Sequence, residues 1–270
     1  MLNVCVFASC SKTLDYADVT SEHRMMRYLY SIEEYLLPNT YYPEGRKLMY
    51  FNEPVYDSEG RVVAAYCDFV GIPANHRYEY ADDQIVLQKN CIEDSDSVFV
   101  FSIIDNHIVS CSVYPDKNMS DSNHSFEFMY DDRNHLTRID EFSNNLLVNS
   151  IIITWKTDNI INITNNMINN GVIDFISSTS YDYVRNDKFK NAFIPIHFQW
   201  DLNGLNGIDE VLASQGYFGI ITPKDIPVCE VPDFGSPSSY EFELDKKGYI
   251  KKINHMNGDD VVREYNFIWR

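Results

Sequence analysis

The chain has 270 residues, 44% of them hydrophobic, which is enough for one large domain with a sizeable core and argues against disorder. Forty acidic residues against 22 basic ones give a formal charge of −18, a field that repels phosphate backbones and anionic headgroups and rules against nucleic acid as a partner. Its 19 Tyr and 16 Phe favour pleated, half-buried surfaces, so composition tilts the fold class toward β.

Residues 1–10 read as the tail of a lipoprotein signal peptide. Leu2 to Ser9 is a short, mostly apolar run, and Phe7-Ala8-Ser9-Cys10 resembles a bacterial lipobox, in which the Cys is lipidated and becomes the first mature residue. The run lacks a basic beginning and is too short to span a bilayer, so contact with the membrane is expected only through a lipid on Cys10. Residues 11–20, beginning Ser11-Lys12-Thr13, form the tether. The alternative is an ordinary apolar N-terminus with a buried Cys.

Residues 21–270 read as a single β-rich domain. It opens on an expected helix from about Ser21 to Leu37, where Met25, Tyr28, Leu29, Ile32 and Leu36 fall at helical spacing, Thr20 or Ser21 can cap, and Pro38 stops it. From Tyr41 onward the pattern changes to strands and turns. Tyr56 precedes Asp57-Ser58-Glu59-Gly60, and Tyr78 and Tyr80 precede Asp82-Asp83. Phe99 and Phe101 precede Asp105-Asn106, and Phe126, Phe128 and Tyr130 precede Asp131-Asp132-Arg133-Asn134. Ile153 and Trp155 precede Lys156-Thr157-Asp158-Asn159. Turns therefore open at 57, 82, 105, 131 and 156, at intervals of 25, 23, 26 and 25, the mark of a repeated unit of two strands and two turns. Asn134 occupies the place of Gly60 and Gly248, and Asn is the next most tolerant residue for a left-handed backbone.

Ten or more consecutive antiparallel strands cannot stay flat, because twist accumulates. The expected architecture is an antiparallel meander of tandem hairpins rolled into a barrel-like sheet, whose closure removes exposed edges. The repeat is interrupted between about Asn165 and Pro237, where Gly207 to Gln215 reads as a short helix with Ile208, Val211 and Leu212 on one side. The clearest hairpin follows: Tyr240, Phe242 and Leu244 alternate with Glu241 and Glu243, and Asp245 opens a turn that ends on Gly248. Ile250 and Ile253 lie three apart and share a face only if a bulge intervenes. Val262 to Trp269 is the final strand.

No nucleophile elbow, His-Glu-x-x-His helix, phosphate loop or dinucleotide fingerprint is present, so no catalytic residue and no cofactor is assigned. Cys67, Cys91, Cys111 and Cys229 lack CxxC spacing, which suggests no zinc and makes independent buried thiols the default. Asp116, Asn118, Ser120 and Glu127 mimic a calcium loop, but Asp121 stands where Gly is needed; they read as a polar loop, and no metal site is assigned. Glu93-Asp94-Ser95-Asp96 and the pair Asp57 and Glu59 read as solvated turns. Trp155, Trp200 and Trp269 are core candidates first and a sugar-stacking platform second.

Phe128 to Ile139, Ile153 to Ile163, Leu212 to Gly219 with its Ser-Gln-Gly-Tyr-Phe-Gly, and Tyr240 to Ile253 together resemble a family of Bacteroidetes surface lipoproteins with Tyr-Asp-type hairpin repeats. That family is a domain of unknown function with a porin-like, rolled antiparallel fold, and the resemblance runs from about Glu53 to Trp269. It implies an outer-membrane-anchored envelope lipoprotein, a binding or structural module without established catalysis, whose ligand is a glycan or protein of the envelope. The rivals are a dedicated glycan-binding module and an envelope enzyme acting on glycans through an inward carboxylate pair. Asn134 and the shortened turn after Trp155 depart from the family pattern, where Gly is usual. The acidic strands and turns suit an aqueous exterior better than a lipid-facing band.

Overall fold

Each predicted reversal is a hairpin turn in the computed structural model, which describes residues 29–38, 43–69, 72–91, 96–115, 119, 122–189, 208–220 and 223–269. Sixteen strands form among these residues. They are β1 (Leu29–Leu36), β2 (Arg46–Tyr56), β3 (Val62–Phe69), β4 (Ile72–Tyr80), β5 (Gln84–Cys91), β6 (Ser97–Ile104), β7 (His107–Tyr114) and β8 (His124–Tyr130). β9 (Leu136–Ser143), β10 (Leu146–Lys156), β11 (Asn159–Asn169), β12 (Val172–Val184), β13 (Ile226–Pro232), β14 (Ser238–Leu244), β15 (Ile250–Asn257) and β16 (Asp260–Trp269) complete the set. Every strand pairs antiparallel with its neighbours in sequence, and β1 pairs with β16, so the meander closes into a barrel.

Three turns share one chemistry. The Oδ1 atoms of Asp57, Asp131 and Asp245 each accept from the backbone N–H groups two and four residues on, at 2.8–3.0 Å. The fourth residue of each is left-handed, with φ of +85° at Gly60, +64° at Asn134 and +92° at Gly248, so Asn134 does take the glycine's place. The shortened turn after Trp155 is of another kind. Thr157 and Asp158 both have positive φ, as do Asp105 with Asn106 and Asn144 with Asn145, the two-residue turn whose twist matches that of the strands it joins.

A bulge in the ladder between Glu243 and Leu244 sets Leu244 opposite Ile250, and Ile250 and Ile253 are both buried. Leu136 with Ile139, and Ile160 with Ile163, repeat this spacing, each beside its own register shift. The same device corrects the expected helix over Ser21 to Leu37. Residues 21–28 lie outside those described, but Leu29–Leu36 is strand, with irregularities between Leu29 and Ser31 and between Ile32 and Glu33. These irregularities disturb the alternation of two and leave an apolar spacing that imitates a helix. Pairing with the otherwise open edges of β2 and β16 outweighs local propensity. The short helix is present as α1 (Glu210–Ser214), capped by Asp209, whose Oδ1 accepts from Leu212 N at 3.0 Å.

At the end of the barrel that carries the Asp turns, neighbouring hairpins separate and aromatic side chains span the gap. The ladder from β3 to β4 ends at Ala64 opposite Arg77; two residues back, the Val62 carbonyl lies 2.8 Å from the Tyr80 hydroxyl. In the same relation Tyr130 donates to Ile108 O at 2.6 Å, Trp155 Nε1 to Leu136 O at 2.8 Å, and Trp269 Nε1 to Ile250 O at 2.6 Å. Tyr183 hydrogen-bonds the Ile160 backbone at the equivalent place. Each ring sits three residues beyond the last paired residue of its own strand.

Residues 208–220, a described part of the connection between β12 and β13, pack at this end. Phe218 is fully buried, edge-on to Phe101 and Phe128 at 6.1 and 5.0 Å. Tyr217 O accepts from Ile108 N at 2.7 Å, and Leu136 N donates to Ile220 O at 3.1 Å. Gly219 has φ +64°, and a Cβ there would lie 2.5 Å from the Asn134 carbonyl. A round wall of sixteen strands encloses water. Here one contiguous cluster of buried apolar side chains draws on strands from β1 to β16 and takes in Val211, Leu212 and Phe218, so wall and insert fill the interior together. The Cys67 and Cys111 thiols are buried, but Cys229 is half-exposed, which corrects the expectation of uniform burial.

Two consequences are measurable by denaturant unfolding. Tyr130→Phe strips the donor from a carbonyl that has no strand partner and lowers stability by about 1–3 kcal/mol. Gly219→Ala costs more, because it combines a disfavoured backbone with a clash against an unyielding carbonyl.

Candidate functional site

Residues in the inward phase of a strand are normally apolar, so inward polar groups mark candidate sites. Two clusters stand out. The first joins the insert to the wall: Tyr78 OH donates to Asp209 at 3.0 Å, and His76 Nδ1 lies 3.0 Å from the same hydroxyl. Because Tyr78 gives its one proton to Asp209, His76 must donate from Nδ1, which fixes its tautomer. Asp209 is 1% exposed, and burial pushes its carboxyl up, opposed by Lys89, the Leu212 amide and Tyr78. Burial drives His76 well below and Tyr78 well above their usual ranges. The cluster is a buried hydrogen-bonded latch that also caps α1.

The second cluster runs like a belt across adjoining strands. Glu230 on β13 faces Tyr181 on β12, with Tyr240 and Ser238 of β14 beside it favouring its ionised form; Tyr240 stacks on His255 of β15 at 4.9 Å. His255 is opposite Arg263 of β16, whose Nη1 donates to Glu34 Oε1 of β1 at 3.2 Å, and Tyr265 OH lies 3.4 Å from that oxygen. Burial raises Glu230, partly offset by Tyr240 and Ser238, while burial and the Arg263 charge depress His255 to about 4. Buried Glu230 Oε2, Asn149 Oδ1 and Asn165 Oδ1 have no hydrogen-bond partner among the described residues. At neutral pH the belt presents a neutral imidazole, an Arg–Glu pair and a carboxyl held toward its acid form.

The sequence-predicted candidates fall elsewhere. Trp155 and Trp269 are half-buried, packed against the core, and donate through their indole N–H groups to backbone carbonyls; Trp200 lies outside the described residues. Asp57 and Glu59 are occupied by Arg61 at 2.7 and 3.2 Å. Cys10, the tether at 11–20, Asp116, Asn118, Ser120 and Glu93 to Ser95 also lie outside the described residues, and Glu127 is an exposed outward residue of β8. Sequence reasoning passed over both clusters, although His255 stands two residues after Ile253 in the buried phase and Asp209 directly precedes an apolar helical run.

A closed antiparallel barrel with chain-neighbour pairing, sealed at one end by its own crossover, is a porin-like architecture. Residues 55–252 match the domain of unknown function DUF4595 with porin-like fold, about three quarters of the sequence, and the protein belongs to that family. Among solved structures it is similar to a porin-like protein from Bacteroides uniformis at 16% identity and TM-score 0.60, covering 90% of this chain and 96% of that one. A porin-like protein from Bacteroides vulgatus aligns at 12% identity and TM-score 0.52, covering 90% and 99%. No curated protein is significantly similar to it.

The belt gives a signed pH dependence. The unfolded imidazole binds a proton near 6.5 and the folded one only near 4, so stability falls as pH drops through that window and levels off below it. His255→Gln therefore loses less stability than the parent between pH 6.5 and pH 4, read as melting temperature across a pH series. A parallel loss in both proteins would remove His255 as the source.

Proposed function

We propose that this protein is a cell-envelope lipoprotein that acts as a binding module and not as a pore, tethered to the outer membrane by a lipid on Cys10. The observation that carries the reading is the polarity of the wall. Along β4, inward His76 and Tyr78 are buried while outward Asn75, Arg77 and Glu79 are exposed, and along β14 Glu241 and Glu243 point outward. A membrane-spanning barrel has the reverse arrangement, apolar toward lipid and polar toward a lumen. Acidic side chains on the outer surface would be costly in hydrocarbon and are at ease in water. With the interior taken up by side chains and the insert, a ligand is met on the outer face or at the loop ends, and an envelope glycan or protein is the class that suits a tethered, acidic barrel. Likeness to porin-like proteins of Bacteroides and the lipobox-like Phe7-Ala8-Ser9-Cys10 support the envelope address.

The test is fractionation together with reconstitution. Expressed in a Bacteroides host behind a lipoprotein leader ending at Ser9, the protein sediments with membranes, and Cys10→Ser moves it to the soluble fraction without detergent. The purified Cys10→Ser protein produces no conductance in planar bilayers. Stable channels, or membrane retention of the Cys10→Ser protein, would overturn the reading.

A further inference from the structure

The barrel has one long arm. β11 and β12 pair as far as Asn169 opposite Val172, whereas β13 pairs with β12 only from Thr179 to Val184, with one more bond from Asp233 N to Ser178 O. Val172 to Ser177 thus has no strand partner on its second edge among the described residues, an open edge of roughly 20 Å. Such edges are normally protected by Lys, Pro or a bulge. Between Val172 and Ser177 there is no Lys and no Pro; the one such device is a register shift that sets Phe175 opposite Met167 and Ile173 opposite Ile168, with Asp174, the only charged residue, left over between them. The surrounding surface is apolar: Met167, Val172, Ile173, Phe175, Ile176 and Phe234 are each between 45% and 68% exposed, with Phe175 and Phe234 in ring contact at 5.4 Å.

We infer that this edge is a dimer interface, joining two copies of the chain through antiparallel pairing of β12 with itself. Six large side chains about half exposed leave on the order of 600 Å² of apolar surface, at the upper end of the largest patch on a typical monomer. With the backbone edge added, that approaches the roughly 800 Å² each partner buries in a standard interface. The strand is also self-complementary under a two-fold axis. With Phe175 opposite its own copy, the two rings meet on the axis, and the two Asp174 carboxylates are not directly opposite each other. Each copy carries −18, so the dimer tightens as added salt screens that repulsion.

Sedimentation equilibrium of the Cys10→Ser protein at micromolar concentration gives a dimer mass, and Phe175→Asp weakens the dimer by on the order of a hundredfold while circular dichroism stays unchanged. A second measurement does not depend on that variant. Paired residues in an antiparallel ladder lie within disulfide reach, so mild oxidation of Phe175→Cys links two copies through position 175, identified by peptide mapping. Val184→Cys, exposed at the opposite end of β12, does not link. A monomer at all concentrations, an unaltered dimer in Phe175→Asp, or equal linking at 175 and 184 would overturn the proposal. So would an edge that stays monomeric alone and is covered only when an envelope extract is added, which would assign it to a foreign strand.

Discussion

The architecture depends on ring donors that bind successive hairpins where their backbone ladders have already stopped. At four seams a carbonyl just after a turn meets a Tyr or Trp from the next strand, the carbonyl always two residues before the first paired residue of its strand and the ring three beyond the last paired residue of the other. The seam between β5 and β6 shows the converse. Ile103 stands near the corresponding place, and there the backbone continues directly from Ile103 N to Asp83 O at 2.8 Å. Where a ring supplies the hydrogen bond, the strands can separate without leaving a buried carbonyl unsatisfied. That separation gives the returning chain room to enter, and its own backbone then bonds Ile108 and Leu136.

Closure removes most edges and creates a different difficulty, because the inward phase of sixteen strands is too long to be wholly apolar. The latch and the belt show two solutions. In the latch, Tyr78 lies between Asp209 and His76 so that every proton has an acceptor, and α1 is capped by the same carboxylate. In the belt, burial keeps the imidazole neutral while Arg263 and Glu34 neutralise each other. Both arrangements lower the cost of desolvating charge by holding groups neutral or paired. Closure leaves an edge of β12 open where β13 is too short to cover it.

Turn chemistry and strand order were legible in the sequence because both are local. Asp57, Asp131 and Asp245 announce their reversals, and the interval of about 25 residues follows from two strands and two turns. Even the bulge before Ile250 was legible, since two buried isoleucines three apart require it. The first strand was not, because its bulges imitate helical spacing and its partners lie some 230 residues away at β16. The rings before each turn were visible as core residues, but their hydrogen bonds to the preceding hairpin depend on where the ladders end. Latch and belt join residues far apart in sequence, such as Tyr78 with Asp209, and no local pattern encodes such a meeting.

The most direct test of a side-chain-filled interior uses two native thiols. Cys67 and Cys111 are buried and inward-facing, so neither has solvent access, and burial pushes the Cys111 thiol up, away from thiolate character. Thiol labelling followed by peptide-resolved mass spectrometry should leave both unmodified in the folded protein, label half-exposed Cys229, and modify all three after denaturation. Labelling of Cys67 and Cys111 in the folded protein at the rate of a free thiol would mean that water occupies the lumen, and would contradict the filled barrel.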